Sequence, residues 1–259
     1  MDFPQSTLEE IAHSEWQMVL AAEQRFGKYF VNARAASVFL SRCVVGIDHD
    51  RLIFARYFAL LKKYHMLALL SAVRLHKVQA MMDLRQVLEA GAAAAFAIAN
   101  PENEHFFEIG PNNIITSDKK LTVKRYRWLE QNFKAGSDAI KAKKDSINDQ
   151  QAHANIVSTE SVFGIAENGE MVNAPFFDAE DDHFVKIDLW LASSIALTLM
   201  DLFYGVNKGR NVITFMDHFP DFLHRLERDT ETLRQELMAT KRGQAALAKA
   251  NRDTGVVQS

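Results

Sequence analysis

Cysteine, proline and glycine are all scarce in this 259-residue chain, with 1, 5 and 11 copies respectively. A lone Cys43 can neither close an internal disulfide nor supply a cysteine zinc site, which excludes a disulfide scaffold and fits a reducing compartment. Glycine and proline together make up about 6% of the residues, half the usual share, and no proline falls between Pro4 and Pro101. Collagen-like, low-complexity and turn-rich all-β classes are excluded. Charge of one sign is also lacking: 30 basic and 33 acidic residues leave a net charge of -3. That balance argues against a dedicated nucleic-acid binder, whose domain is usually strongly basic. The start, MDFPQSTLEE, has neither the basic residues nor the apolar run of an export signal. The longest apolar runs, 87–99 and 189–200, are interrupted by Glu89 or flanked by Asp188 and Asp201, short of the roughly 18 residues of a membrane span. The expectation is a cytoplasmic protein without membrane contact.

What is present is apolar material at helical spacing. Hydrophobic residues make up 48% of the chain, ample for one large core. Thr7 with Glu10, and Ser6 with Glu9, form overlapping capping-box patterns ahead of Leu8, Ile11, Met18, Ala22 and Phe26. The same phase runs on to Leu40 and Val44, with Gly27 either inside one long helix or separating two. Asp48 or Asp50 caps the next helical stretch, which breaks near 74–77 and stops at Pro101. Helices are expected again over 117–133 and 137–158, hinged at Gly136, then over 182–204, and from Asp221 after Pro220 to about Lys249. Asn168-Gly169 in FGIAENGEMV suits a type I′ turn between two short strands. The fold class is therefore all-α: a multi-helix bundle of long antiparallel helices with one small hairpin insertion near Asn168-Gly169. A single helical domain is expected over 1–250, built from N-terminal helices (7–45), a central part (50–210) and a C-terminal helix (221–250), with 251–259 as a disordered tail.

The polar residues of AMMDLRQVLEAGAAAAFAIA are the most informative. At 100° per residue, Gln79, Asp83, Gln86 and Ala90 share one face and Met81, Arg85, Leu88 and Ala92 the opposite one. Glu89 lies 40° from Arg85, so an ion pair is expected to point into the core, with His153 or Asn155 arriving from a later helix to satisfy it. Such a cluster either fixes helix register or forms a polar pocket. The segments LRQVLEAGAAAAFAIANP, LTVKRYRWLEQNFKAGSDAIK, AHANI, NAPFFD and VKIDLWLASSIALTLMDLFYGVN resemble those of a family of bacterial all-helical proteins that carries no established activity, over about residues 50–210. The chain is also loosely similar to helical groups with Arg-x-x-x-Glu on one helix and His on a later one, which map onto Arg85, Glu89 and His153. That likeness implies a ribonuclease-toxin type of chemistry, although those enzymes carry Arg-x(4–6)-His on one helix and the single match here, Arg42 to His49, crosses Gly46.

Other chemistries find little support. Glu-x-x-His occurs at Glu10/His13, Glu102/His105 and Glu180/His183, but at helix starts or in a loop rather than mid-helix, where bundle metal sites place such ligands; no metal site is expected. His65 and His76 are about 16 Å apart along a helix and read as separate core histidines. GxSxG, P-loop and GxGxxG signatures are absent, and no cofactor is implied. Charge is uneven, however: 117–144 carries nine basic and three acidic residues, interleaved with Tyr126 and Trp128, whereas 160–188 carries eight acidic and one basic. The blocks either neutralise each other, within the fold or across a dimer, or leave the basic one free as a phosphate-binding surface. Two functions follow. The first is a non-catalytic structural or interaction protein. The alternative is a hydrolase directed at RNA, in which Arg85 binds phosphate, His153 is the general acid or base and Glu89 orients one of them. The helix over 182–204, apolar on nearly every face, leads to the expectation of a homodimer that covers its surplus apolar surface.

Overall fold

Thr7 opens the first helix through a full capping box: its hydroxyl accepts from the Glu10 amide at 3.2 Å, and its own amide donates to the Glu10 carboxylate at 2.8 Å. Helix α1 spans Leu8–Phe26 and α2 Lys28–Arg42. Gly27 separates them at φ +55°, a backbone conformation that glycine adopts freely and other residues resist. The computed structural model describes residues 6–110, 112, 114–116, 119–150, 164–165, 172–173, 176–178, 181–245 and 248. Helix α3 (Leu52–Val73) and helix α4 (Lys77–Ala99) form a hairpin. Its turn holds Leu75 at φ +60°, and Pro101 follows the end of α4. Helices α5 (Lys119–Asn132) and α6 (Lys134–Gln150) break at Phe133, not at Gly136. A Cβ at Gly136 would lie 2.8 Å from Leu202 Cδ1, so this glycine lets α6 approach a neighbouring helix rather than bend.

That neighbour, α7 (Asp182–Asn207), is the centre of the bundle and packs against α2, α3, α4, α6 and the last long helix, α8 (Phe219–Ala239). By length and composition α7 could cross a membrane, yet 67% of its most apolar window is buried inside the fold. Its Leu189, Ile195, Ala196, Leu199, Met200 and Phe203 have no measurable exposure, and of its large apolar side chains only Phe184 and Tyr204 are exposed. Little of the apolar surface of this helix is left open, because the surrounding helices of the same chain enclose most of it. Helix α8 begins two residues before Asp221, with Pro220 in its first turn where a missing N–H costs nothing, and it ends at Ala239, an extended Thr240 separating it from a further helical stretch that includes 241–245, so it does not run unbroken to near Lys249.

Among the described residues the strands form three two-stranded antiparallel ladders. β1 (Val44–Ile47) pairs with β6 (Ile213–Phe215), with Ile47 opposite Ile213 and a bulge between Val44 and Gly46. Buried Asn207 braces β6, accepting from the Val212 and Ile213 amides at 3.0 Å and donating to the Ile213 carbonyl at 2.8 Å. β2 (Glu108–Ile109) pairs with β3 (Ile115–Thr116). β4 (Gly164–Ile165) and β5 (Val172–Asn173) form the expected hairpin. Its register, Ile165 to Val172, centres on Asn168-Gly169, two residues that lie outside the described ones, as does 251–259.

Candidate anion-binding cleft

The cleft lies where α5 and α6 lean against α4. Trp128 of α5 meets Phe96 of α4 edge-on at 5.3 Å and packs on Phe133 at 5.5 Å. Leu129, Ile140 and Ile147 make the fully buried face of the α5–α6 pair. On the side that faces Arg85 these helices bring long polar side chains, Lys144 and Asn148 of α6 among them. Arg85 Nε donates to Glu89 Oε1 at 3.3 Å, as the i, i+4 spacing implies. The pair is not buried, however: its side chains retain 33% and 39% exposure. Helical phase places the pair toward the rest of the bundle, but what α6 brings to meet it is the long polar side chains of Lys144 and Asn148, which leave it open to solvent. Arg85 Nη1 donates to Asn148 Oδ1 at 3.0 Å, and Lys144 Nζ lies 3.3 Å from Glu89 Oε1. His153 and Asn155, expected beside this pair, lie outside the described residues.

The buried carboxylate of α4 is Asp83, on the opposite face, at 3% exposure. Its Oδ1 accepts from Gln79 Nε2 at 3.1 Å, and burial raises its pKa. His65 is a fully buried histidine: its Nε2–H donates to the Ala192 carbonyl at 3.1 Å, and burial pushes its pKa down to about 4. His76 instead bonds Glu15 at 2.8 Å at the α3–α4 turn, and Arg74 holds the other Glu15 oxygen at 3.0 Å. Burial opposes ionisation of Glu15, but these two partners outweigh it and hold its pKa below the ordinary value. Among the described residues no group of three or more His, Cys, Asp or Glu could hold a metal ion. Glu10 is engaged in its cap, and Glu102 and His105 pair only with each other at 3.4 Å, apart from a Lys124 contact to the ring.

The open space beside Arg85 has a volume of about 810 Å³, within the usual range for ligand clefts. Six cations line it, namely Arg85, Lys119, Arg127, Lys134, Lys141 and Lys144, against three carboxylates, Glu130, Asp138 and Asp145. Asp138 is taken by Lys134 at 3.0 Å. Lys144 is held by Glu89 and by Tyr126, whose hydroxyl it reaches at 3.2 Å and whose ring it covers at 4.8 Å. Lys119, Arg127 and Lys141 have no carboxylate within 4.0 Å among the described residues. Three described residues of the acidic block pair elsewhere: Asp181 with Arg242 at 2.7 Å, Asp182 with Arg25 at 2.8 Å, and Asp178 with the Lys77 amide at 2.6 Å. The excess of lysine and arginine over 117–144 already marked this surface in the sequence, but nothing marked Asn148. Comparison with family models, with curated proteins and with solved structures returns no significant match for this chain.

Proposed function

We propose that the protein is a non-catalytic binding protein of the cytoplasm that engages a phosphate-bearing partner in the cleft between α4, α5 and α6. The observation that carries this reading is the cationic wall: six positive against three negative side chains around one open cleft, with Lys119, Arg127 and Lys141 unpaired by carboxylates among the described residues. Phosphate groups would take over as their counter-ions, so affinity should fall steeply with salt. Polyphosphate titrated into the protein at low salt tests the reading. Binding that weakens with salt, and is lost in the double variant Arg127→Glu, Lys141→Glu, is the expected result. Absence of binding, or binding indifferent to charge reversal, would overturn it.

One observation favours the hydrolase reading as a second: Arg85 opens onto the cleft, and its partner Asn148 precedes His153 by only five residues. In that reading Arg85 binds phosphate, Glu89 orients it and His153 is the general acid or base. RNA cleavage by the wild type, abolished by His153→Ala with the fold intact, would establish it; wild-type protein that leaves RNA whole leaves the binding reading.

We further propose two-fold association, now through the groove between α2 and α8 rather than over α7. One stretch of this groove has Arg34, Arg42 and Arg225 around Val38, Phe39 and Phe222. The adjoining stretch has Asp229 and Glu236, the latter paired with Lys28. An antiparallel contact between two copies would set the basic stretch of each against the acidic stretch of the other. A stable 29.3 kDa species in light scattering at low salt would refute it.

A further inference from the structure

Beside the open cleft lies a second, smaller cavity of about 220 Å³, on the other side of a wall formed by Thr122, Tyr126 and Lys144. Its floor is apolar, made by Ala90, Ala92 and Ala93 of α4, all buried, with Tyr57 of α3 alongside. Arg125 of α5 lines it and is itself only 8% exposed. Arg125 Nη1 donates to the His105 carbonyl at 3.3 Å, its Nη2 donates to Thr122 Oγ1 at 3.0 Å, and the guanidinium faces the Phe106 ring at 5.6 Å. Every one of these partners is neutral. Among the described residues no carboxylate lies within 4.0 Å of it. A guanidinium keeps its charge in proteins and has five N–H donors, and a buried charge without a counter-ion is costly. Three of those donors have no acceptor among the described residues.

We propose that this cavity binds a small organic carboxylate, with Arg125 as its counter-ion. A carboxylate matches the planar fork of the guanidinium and can accept two parallel hydrogen bonds from it. The alanine floor and Tyr57 suit a compact apolar body, such as a single ring or a branched chain, and give a bare inorganic anion nothing to pack against. The other charges in the wall are Lys144, already held by Glu89 and Tyr126, and Glu89, already shared by Arg85 and Lys144. Glu89 would repel a second negative charge, so the site selects monoanions. This inference goes beyond the phosphate reading of the cleft and does not depend on it.

Calorimetry and thermal melts of the full chain with benzoate, isobutyrate, benzamide and inorganic phosphate test it. One of the two acids should bind with one-to-one stoichiometry and raise the melting temperature, and benzamide should bind at least about tenfold more weakly than benzoate where benzoate binds, the factor that a lost charge-assisted hydrogen bond implies. Arg125→Met should abolish the response without lowering the melting temperature of the ligand-free protein, because it removes an uncompensated buried charge while keeping the side-chain volume. Ala93→Leu fills the cavity, leaves Arg125 in place and should also abolish the response. No response of the wild type to either acid would overturn the proposal. So would a response that survives Ala93→Leu, or phosphate competing as well as the acids. An Arg125→Met protein that melts well below wild type, paired with an acid-insensitive wild type, would assign Arg125 a purely structural role.

Discussion

Between pH 7 and pH 4 the protein should lose about 3 kcal/mol of stability through His65 alone. This imidazole is fully buried between α3 and α7, and its single hydrogen bond, to the Ala192 carbonyl, is one the neutral ring makes as well as the charged one. Burial lowers its pKa from 6.5 to about 4, so on acidification the unfolded chain takes up the proton first. The stability tied to this group is complete above pH 6.5 and is lost as the pH falls toward 4. At about 1.36 kcal/mol per pH unit, that gap amounts to roughly 3 kcal/mol. Burial also raises the pKa of Asp83 and of Glu227, so the comparison must be differential. Urea unfolding of wild type and His65→Gln, at about pH 7, 5.5 and 4.5, provides it. Glutamine keeps a donor for Ala192 but cannot titrate, and the variant should show the shallower dependence on pH. Parallel losses in the two proteins would mean that protons reach His65 in the folded state, and the packing of α3 on α7 described above would be wrong.

Arg85→Ala should cost only about 0.2–1 kcal/mol, because the pair it breaks is at least one-third exposed; calorimetry should find the melting temperature lowered by less than about 4 °C, and a much larger drop would indicate a buried pair. Gly136→Ala should destabilise by about 1–2 kcal/mol, since the overpacking cost against Leu202 exceeds the helix-propensity gain; an unchanged denaturation midpoint would show that α6 stands off α7. Cys43, with its thiol pKa pushed up to about 12 by burial, should resist a thiol-reactive dye in the native protein and react fully in urea. Rapid native labelling would show that the α2–β1 junction opens.

Several helix boundaries were legible from local signals. The Thr7 box, the break near Arg74 and the stop before Pro101 each act over a few residues, and each appears where the chain places it. Gly136 misled because glycine serves two ends: it loosens a backbone, and it also removes a side chain where another helix comes close. Only the position of Leu202, 66 residues later, distinguishes the two uses. The β1–β6 ladder was missed because Val44 continues the helical phase of α2, and its strand character depends on Ile213–Phe215 far along the chain. The site divides in the same way. Charge along α5 and α6 was visible at once, and the Arg85–Glu89 bond follows from spacing. Whether that bond is buried depends on which residues α6 brings to meet it, and helical phase alone does not contain Lys144 or Asn148. Arg125 carried no signal in the sequence, because one arginine among many basic neighbours differs from them only in being enclosed.

The lateness of α7 in the chain has a consequence for synthesis. All of the helices that it joins except α8 are made first, and 82 residues separate the end of α4 from the start of α7. At translation rates of about 5 to 20 residues per second, that interval is roughly 4 to 16 s. Throughout it, the alanine-rich side of α4 and the inner sides of α2 and α3 wait without the helix that covers them. Growing chains should therefore present a broad sticky surface at the ribosome for seconds, a natural client for a holding chaperone. Slowing elongation between α4 and α7 should raise aggregation, while slowing it after α8 has emerged should not.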